Sequence, residues 1–333
     1  MRTLTILEPG KVKVQDTPVP DPGPGEVQVK VAACGICGTD VHILRGEYIG
    51  DYPIVPGHEF AGQVTATGGG VARIRVGDRV AVEPNIACDN CRNCLNNRQN
   101  FCLNWEAIGV TLQGGMAEYV VAPEKAVFAT GELSFEAAAF MEPLSCVVHG
   151  VERAGIELGD RVAILGAGPI GLLLLQVARL RGGVEITVLE RQEARGALAE
   201  AYGAQRWVRD VEALSVGAYD VVIDATGVPA LMAQTVGLAR KGGKVLLFGV
   251  PPSGADLTVD AFAVFEKGLT LRSSFTSRRN SYQALALLES GAVSVDKLVS
   301  HRLPLEAFEQ GVSLIEKGGD EVTKIMMVPD MAP

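Results

Sequence analysis

Residues 161–190 read RVAILGAGPIGLLLLQVARLRGGVEITVLE. RVAIL (161–165) has the length and apolarity of a buried strand, and a helix pattern runs from Pro169 to the break at Gly182-Gly183. Between them, LGAGPIG sets Gly166, Gly168 and Gly171 at the G-x-G-x-x-G spacing. A second strand, VEITVL (184–189), ends at Glu190, about 20 residues past the motif, where a ribose-binding acid belongs. Glycines alone are weak evidence in a chain that holds 39 of them. A strand–turn–helix packed through glycine, with a solvated acid, would show the same letters. Strand, turn, helix and acid in agreement favour a dinucleotide site. The turn lets backbone approach a pyrophosphate, and the helix N-terminus supplies N–H donors.

The alternation continues downstream. ARGALAEAY ends at Gly203; YDVVIDAT (219–226), a helix to about residue 240, KVLLFGV (244–250) and LTLRSSF (269–275) follow. Continuous apolar strands between amphipathic helices indicate an α/β, doubly wound parallel sheet covered on both faces. Before residue 145 the texture differs: EVQVKV (26–31), AGQVTATG (61–68), RVAVEP (79–84) and AEYVVAP (117–123) are short β-like runs punctuated by Gly and Pro. After about 281, SYQALALLESG reads as one more helix before short mixed elements.

A chain of 333 residues predicts about two domains. With 47% hydrophobic and 21% charged residues it can bury a core, so disorder is excluded. Its net charge of −9 disfavours a phosphate backbone as partner, so no nucleic acid is expected. The most apolar run, LLLLQVA, is interrupted by Gln176, so no membrane span is expected. MRTLTILEPG lacks the apolar core of a signal peptide, which leads to the expectation of a cytoplasmic protein. Seven cysteines, an odd number, are then expected as thiols or metal ligands.

Cys88, Cys91, Cys94 and Cys102 lie on a loop, DNCRNCLNNRQN and its flanks, too polar to be core. Four thiolates there can close a tetrahedral shell around zinc with no position left for substrate. An iron–sulfur cluster is the competing reading of the Cys-x2-Cys-x2-Cys start. A second, dispersed group is Cys37 in CGICGTDVH, His58-Glu59 in PGHEF and Glu142 in MEPLS. One thiolate, one imidazole and carboxylates can form an open shell of the catalytic kind. Spacing leaves two alternatives: His58 as an ordinary hydrogen-bonded histidine, and Cys34–Cys37 as a redox pair.

GICGTDVH, VPGHEF with VGDRV, the four-cysteine loop, QGGMAEY, MEPLSCVVHG, LGAGPIG and SHRLPLEAFE together resemble the zinc-dependent medium-chain dehydrogenases, closest to their polyol (sorbitol-like) branch. The resemblance spans nearly the whole chain. It implies a Rossmann domain inserted into a β-rich GroES-like catalytic domain, expected over 1–143 (catalytic), 144–287 (Rossmann) and 288–333 (returning to the catalytic domain). It also implies two zinc ions per chain. Cys37, His58 and Glu59 look like catalytic ligands, with Glu142 where alcohol dehydrogenases have a cysteine, as a ligand or acting through bound water. Cys88, Cys91, Cys94 and Cys102 look like the structural set. Cys34 and Cys146 are left as packing residues.

The activity so implied is NAD-linked oxidation of a secondary hydroxyl of a polyol or sugar derivative. Thr39 and His42 resemble the family's proton relay. Gly166, Gly168, Pro169, Ile170, Gly171, Glu190, Arg191, Arg195, Phe248 and Val250 are expected at the cofactor. Glu190 favours NAD over NADP, Arg191 is expected on the adenine, and Arg195 is expected to face water. Tyr48 is a candidate for extra substrate hydroxyls; Arg278-Arg279 reads as a solvated basic turn or, more weakly, a site for a substrate phosphate or carboxylate. A homo-oligomer, tetramer or dimer, is expected. A threonine or simple secondary-alcohol dehydrogenase is the alternative. A zinc-ribbon binding protein fits neither the charge nor the glycine turn, and a zinc-free quinone reductase has no use for Cys37, His58 and Glu59 together.

Overall fold

RVAIL forms the strand Arg161–Leu165, whose last four residues, Val162 to Leu165, have no solvent exposure. A run buried on both faces needs cover on both sides, and the structure, a computed structural model describing residues 1–319 and 321–332, supplies it. Six parallel strands lie in the order Arg206–Val208, Glu185–Leu189, Arg161–Leu165, Tyr219–Asp224, Ala239–Leu247 and Thr270–Ser273. By chain position that is 3-2-1-4-5-6, the doubly wound order whose switch point lies beside the first strand. Helix Pro169–Arg181 follows the first strand. Proline opens it and the residues from Gly171 to Ala178 are all buried, which places LLLLQVA in a protein core. Among the described residues no helix is long and apolar enough to cross a membrane.

The expected elements are present, with differences of extent and some additions. Arg206–Val208 is a strand that the sequence reading missed, because three residues beginning with arginine carry no periodic signal. The last apolar run starts its strand earlier, at Ala239, and ends at Leu247. Phe248 and Gly249 therefore leave the sheet, their N–H groups donating to the Asp224 carbonyl at 3.0 Å.

The β-rich part forms a seven-stranded sheet. Glu26–Gly35 pairs antiparallel with Glu59–Thr67, Tyr119–Pro123 and Lys324–Met327. Arg79–Val82 and Val127–Ala129 extend one side, and Val299–Leu303 joins Lys324–Met327 on the other. An N-terminal hairpin, Arg2–Glu8 with Lys11–Asp16, was not foreseen.

Two compact units result. One comprises Met1–Ser145, Ser277–Gly318 and the chain from Lys324; the other comprises Cys146–Thr276 and Gly319–Thr323. The change of texture at 145 falls inside one helix, Met141–Ala154. The chain returns at Ser277, not at the expected 288, because helix Ser281–Glu289 packs beside Phe135–Ala139 in the first unit.

The glycine turn separates packing from ligand roles. Gly166 has φ +102° and follows the strand directly. A Cβ at Gly171 would lie 2.0 Å from the Gly166 carbonyl oxygen, whereas one at Gly168 would meet nothing within 4 Å. Gly171→Ala should therefore destabilise the fold by about 2 kcal/mol, a fall in Tm of several degrees. Gly168→Ala should leave Tm unchanged and weaken dinucleotide binding; thermal melts and cofactor titration of the two variants check the split.

Candidate active site

Strand register assembles the first group of ligand types. Gly35 pairs with Glu59 and Cys34 with Phe60, so Cys37, two residues past one strand's end, meets His58 at the other strand's start. The ligand atoms of Cys37, His58 and Glu59 lie within 4.8 Å of one another; Cys37 is half-buried and the other two are buried. Asp40, fully buried, accepts from the Cys37 N–H at 2.8 Å and the Gly57 N–H at 3.1 Å. It thereby caps helix Gly38–Arg45 and ties its loop to the PGHE loop. Its Oδ1 also stands 3.6 Å from His58 Nδ1, too far for a hydrogen bond.

His58 Nδ1 is buried without a hydrogen bond. Buried polar atoms left so are costly unless another partner belongs there. Burial pulls the His58 imidazolium down, yet Asp40 and Cys37 outweigh it and hold its pKa well above the usual histidine range. Glu59 faces Lys324 Nζ as an ion pair. Burial lowers the Lys324 ammonium, but Glu59 and then Cys37 and Asp40 overcome it and raise its pKa. This is a pocket of negative potential with thiolate, imidazole and carboxylate donors, and it fits a zinc-like cation. Asp40 and Lys324 were missed by sequence reading. Lys324 arrives through the pairing of Met326 with Gly35, which no local pattern announces.

Glu142 is buried in the first turn of helix Met141–Ala154 and lies outside that 4.8 Å group. Thr39 and His42 are both half-buried and sit three apart on helix Gly38–Arg45, on one face. His42 Nδ1 is 2.9 Å from Glu47 Oε2. Tyr48 packs against the core around Ile6, Ile43 and Ile54.

The four-cysteine loop closes on itself. All four sulfurs lie within 4.8 Å of one another, with Cys91–Cys94 at 3.5 Å and Cys91–Cys102 at 4.0 Å. A tetrahedron of Zn–S bonds has edges of about 3.8 Å. That space holds one ion; several irons with bridging sulfides do not fit between these sulfurs. None of the seven cysteines is in a disulfide. The Leu103 and Cys94 backbone N–H groups lower the Cys91 thiol to about 6, while burial pushes Cys94 up to about 12. Cys34 is fully buried core, and its raised pKa, from burial first, makes it a poor redox partner for Cys37.

In the second unit a cavity of about 580 Å³ lies over the glycine turn, lined by Gly166, Gly168, Glu190, Arg191, Arg195 and Arg209 among others. Glu190 is held there: Oε2 accepts from the Ala167 N–H and Oε1 from the Gln192 N–H, both at 3.0 Å. Pro169 begins the helix, Ile170 follows, and Gly171 is buried beneath the turn. Arg191 is exposed. Arg195 does not face water as expected: its Nε donates to the Val322 carbonyl at 2.9 Å, because Gly319–Thr323 crosses over that helix. Arg209, unanticipated, pairs with Glu193 at 2.6 Å and lies over the Trp207 ring. Phe248 and Val250 do not line this cavity; Phe248 lies against Gly150, and the Val250 backbone lies against Gly227. Arg278 and Arg279 are both exposed, as a solvated basic turn requires, and Arg279 pairs with Asp89.

Comparison with known proteins agrees with this chemistry. Residues 23–132 match the alcohol dehydrogenase GroES-like domain, and residues 169–290 match the zinc-binding dehydrogenase domain. The chain is 39% identical to D-altritol 5-dehydrogenase of Agrobacterium fabrum, covering 92% of this chain and 93% of that one. It is 34% identical to L-threonine 3-dehydrogenase of Bacillus velezensis, with 95% of each covered. A zinc-binding dehydrogenase from Sinorhizobium meliloti, solved with NADP, superposes with a TM-score of 0.93 at 37% identity over 98% of this chain and 99% of that one.

Thiolate ligands must lose protons before they bind metal. A zinc ion held by these thiolates would compete with protons for the sulfurs, so its release to a chromophoric chelator should accelerate severalfold as pH falls from 7 to 5. A release rate independent of pH over that range would contradict this reading of the loop.

Proposed function

This chain belongs to the zinc-dependent medium-chain dehydrogenases, and on that premise we propose that it oxidises a secondary hydroxyl of a polyol or sugar derivative to the ketone, passing hydride to NAD. The observation that carries the proposal is the convergence of Cys37, His58 and Glu59, their ligand atoms within 4.8 Å of one another and His58 Nδ1 buried without a hydrogen bond. We assign these three as catalytic zinc ligands and Cys88, Cys91, Cys94 and Cys102 as structural ligands, giving two zinc ions per chain. When bound, catalytic zinc supplies Lewis acidity that brings a hydroxyl pKa down toward about 7.

The protein's own groups do the rest. Cys37, His58 and Glu59 fix the cation; Asp40 orients their loops; Lys324 balances Glu59. Glu142 is the acid that contacts the substrate hydroxyl or the water beside it. Thr39 Oγ1 takes the proton released from the substrate, and His42, paired with Glu47, passes it to solvent. The glycine turn and helix N-terminus hold the pyrophosphate, while Phe248 and Val250 serve the nicotinamide end. Exposed Phe262 and Phe265 on helix Ala261–Lys267 support a homo-oligomer, dimer or tetramer.

Polyols are preferred over simple alcohols because Glu142 supplies an acceptor for an additional hydroxyl, and sites that pair polar groups reject analogues lacking them. The 39% identity to an enzyme named for D-altritol supports this choice. Threonine is the competing substrate, in view of the 34% relative. In a panel of polyols, sugar phosphates, threonine and ethanol, a polyol or sugar derivative should give kcat/KM at least tenfold above ethanol, with His58→Ala folded and inactive. Equal values for ethanol and polyols would contradict the assignment.

Cofactor preference rests on Glu190. A 2′-phosphate about 5 Å from its carboxylate would meet roughly 3 kcal/mol of repulsion at an effective dielectric of about 20. Screening leaves about 1.5–3 kcal/mol, a ten- to hundredfold preference for NAD. Swinging the carboxylate away would break its two backbone hydrogen bonds, and Arg195 and Arg209 are engaged elsewhere. The NADP found in the Sinorhizobium meliloti relative makes the test pointed. The kcat/KM ratio should favour NAD in the wild type and move toward NADP in Glu190→Ala. No movement would overturn the role of Glu190.

A further inference from the structure

Glu83 lies just past strand Arg79–Val82 and is only 8% exposed. Its Oε2 accepts from Ser277 Oγ and Ser281 Oγ, each at 2.8 Å. Its Oε1 accepts from Asn85 Nδ2 at 2.6 Å and from the Asn85 N–H at 3.2 Å. Ser145 Oγ stands farther off, at 3.4 Å, its hydroxyl directed 2.7 Å to the Glu142 carbonyl. Ser145 is the residue at which the chain leaves the first unit, and Ser277 the one at which it returns.

The returning segment is strained. Thr276 has φ +49° and Arg279 φ +58°, left-handed values that are costly for any side chain and most of all for β-branched threonine. Such backbone persists only where its surroundings over-determine it, and here they do. His149 Nδ1 lies 2.8 Å from the Thr276 carbonyl oxygen, Arg278 N–H donates to Asn280 Oδ1 at 3.0 Å, and Arg279 pairs with Asp89. A buried carboxylate held by hydroxyls and an amide is a costly way to secure a loop unless its exact course matters.

We propose that Glu83 is a positioning residue for the reaction, fixing through Ser277 and Ser281 the left-handed segment by which the chain re-enters the metal-bearing unit. The inference rests on the reading above, in which the metal ligands and the nucleotide turn serve one hydride transfer. Zinc and NADH each bind to their own residues, whereas turnover needs the whole course of the chain. Loss of the clasp should therefore appear in kcat and not in the affinity of either unit for its own ligand.

The test uses zinc-loaded enzyme, NAD and the polyol of highest kcat/KM from the panel. Ser277→Ala/Ser281→Ala should lower kcat at least tenfold, with zinc content unchanged and the NADH Kd, read by fluorescence, within twofold of wild type. Glu83→Gln, which keeps an acceptor oxygen, should recover most of the kcat lost in Glu83→Ala. In the Glu83→Ala background the serine changes should cost little more, as groups acting through one contact are non-additive. A serine double variant with kcat within twofold of wild type, losses that multiply, or a loss carried by zinc or NADH affinity would overturn the proposal. Where Glu83→Ala does not fold, the serine variants and Glu83→Gln decide alone. Glu142→Gln is run in parallel: wild-type turnover there refutes the role given to Glu142, whereas loss there with intact serine variants refutes this inference only.

Discussion

The Asp40 carboxylate, without solvent exposure, ties the Cys37 loop to the PGHE loop. It accepts from Cys37 and Gly57 and stands beside His58. A buried anion bound only to N–H groups is tolerated where a cation belongs close by. The groups around it form a consistent electrostatic design: His58 and Lys324 are pulled toward their charged forms, and Glu59 pairs with Lys324. Without Asp40, the register that pairs Gly35 with Glu59 would bring the loops near each other but would not aim their side chains.

The two cysteine-bearing sites embody opposite solutions. In the loop from Cys88 to Cys102, four like sulfurs within a short stretch lie close enough to share one ion, and backbone N–H groups donate to Cys102 from both sides. This is a device for folding a polar loop that has little apolar material of its own. In the other site only three protein donors converge, which leaves room for a reacting oxygen.

What could be read from the sequence follows the distance over which each feature is encoded. The glycine turn, Glu190 and the four-cysteine loop are local patterns, and the structure arranges each as its spacing implies. Cys37, His58 and Glu59 could be named as candidate ligands, but their convergence could not be read from spacing, because a strand register between distant segments brings them together. Asp40, Lys324 and Glu83 carried no signal; each acts through a partner unrelated to it in sequence. Arg195 was misread because Val322 comes from near the end of the chain. The strand Arg206–Val208 was too short to show a period, and the return at Ser277 precedes the helix that marks it.

The central claim is that this chain holds one closed sulfur site and one open mixed site. X-ray absorption at the zinc edge of the purified protein tests it directly. The expected spectrum has a sulfur shell near 2.3 Å averaging about 2.5 sulfurs per zinc and a nitrogen/oxygen shell at about 2.0–2.1 Å. A pure four-sulfur shell at one zinc per chain would contradict it.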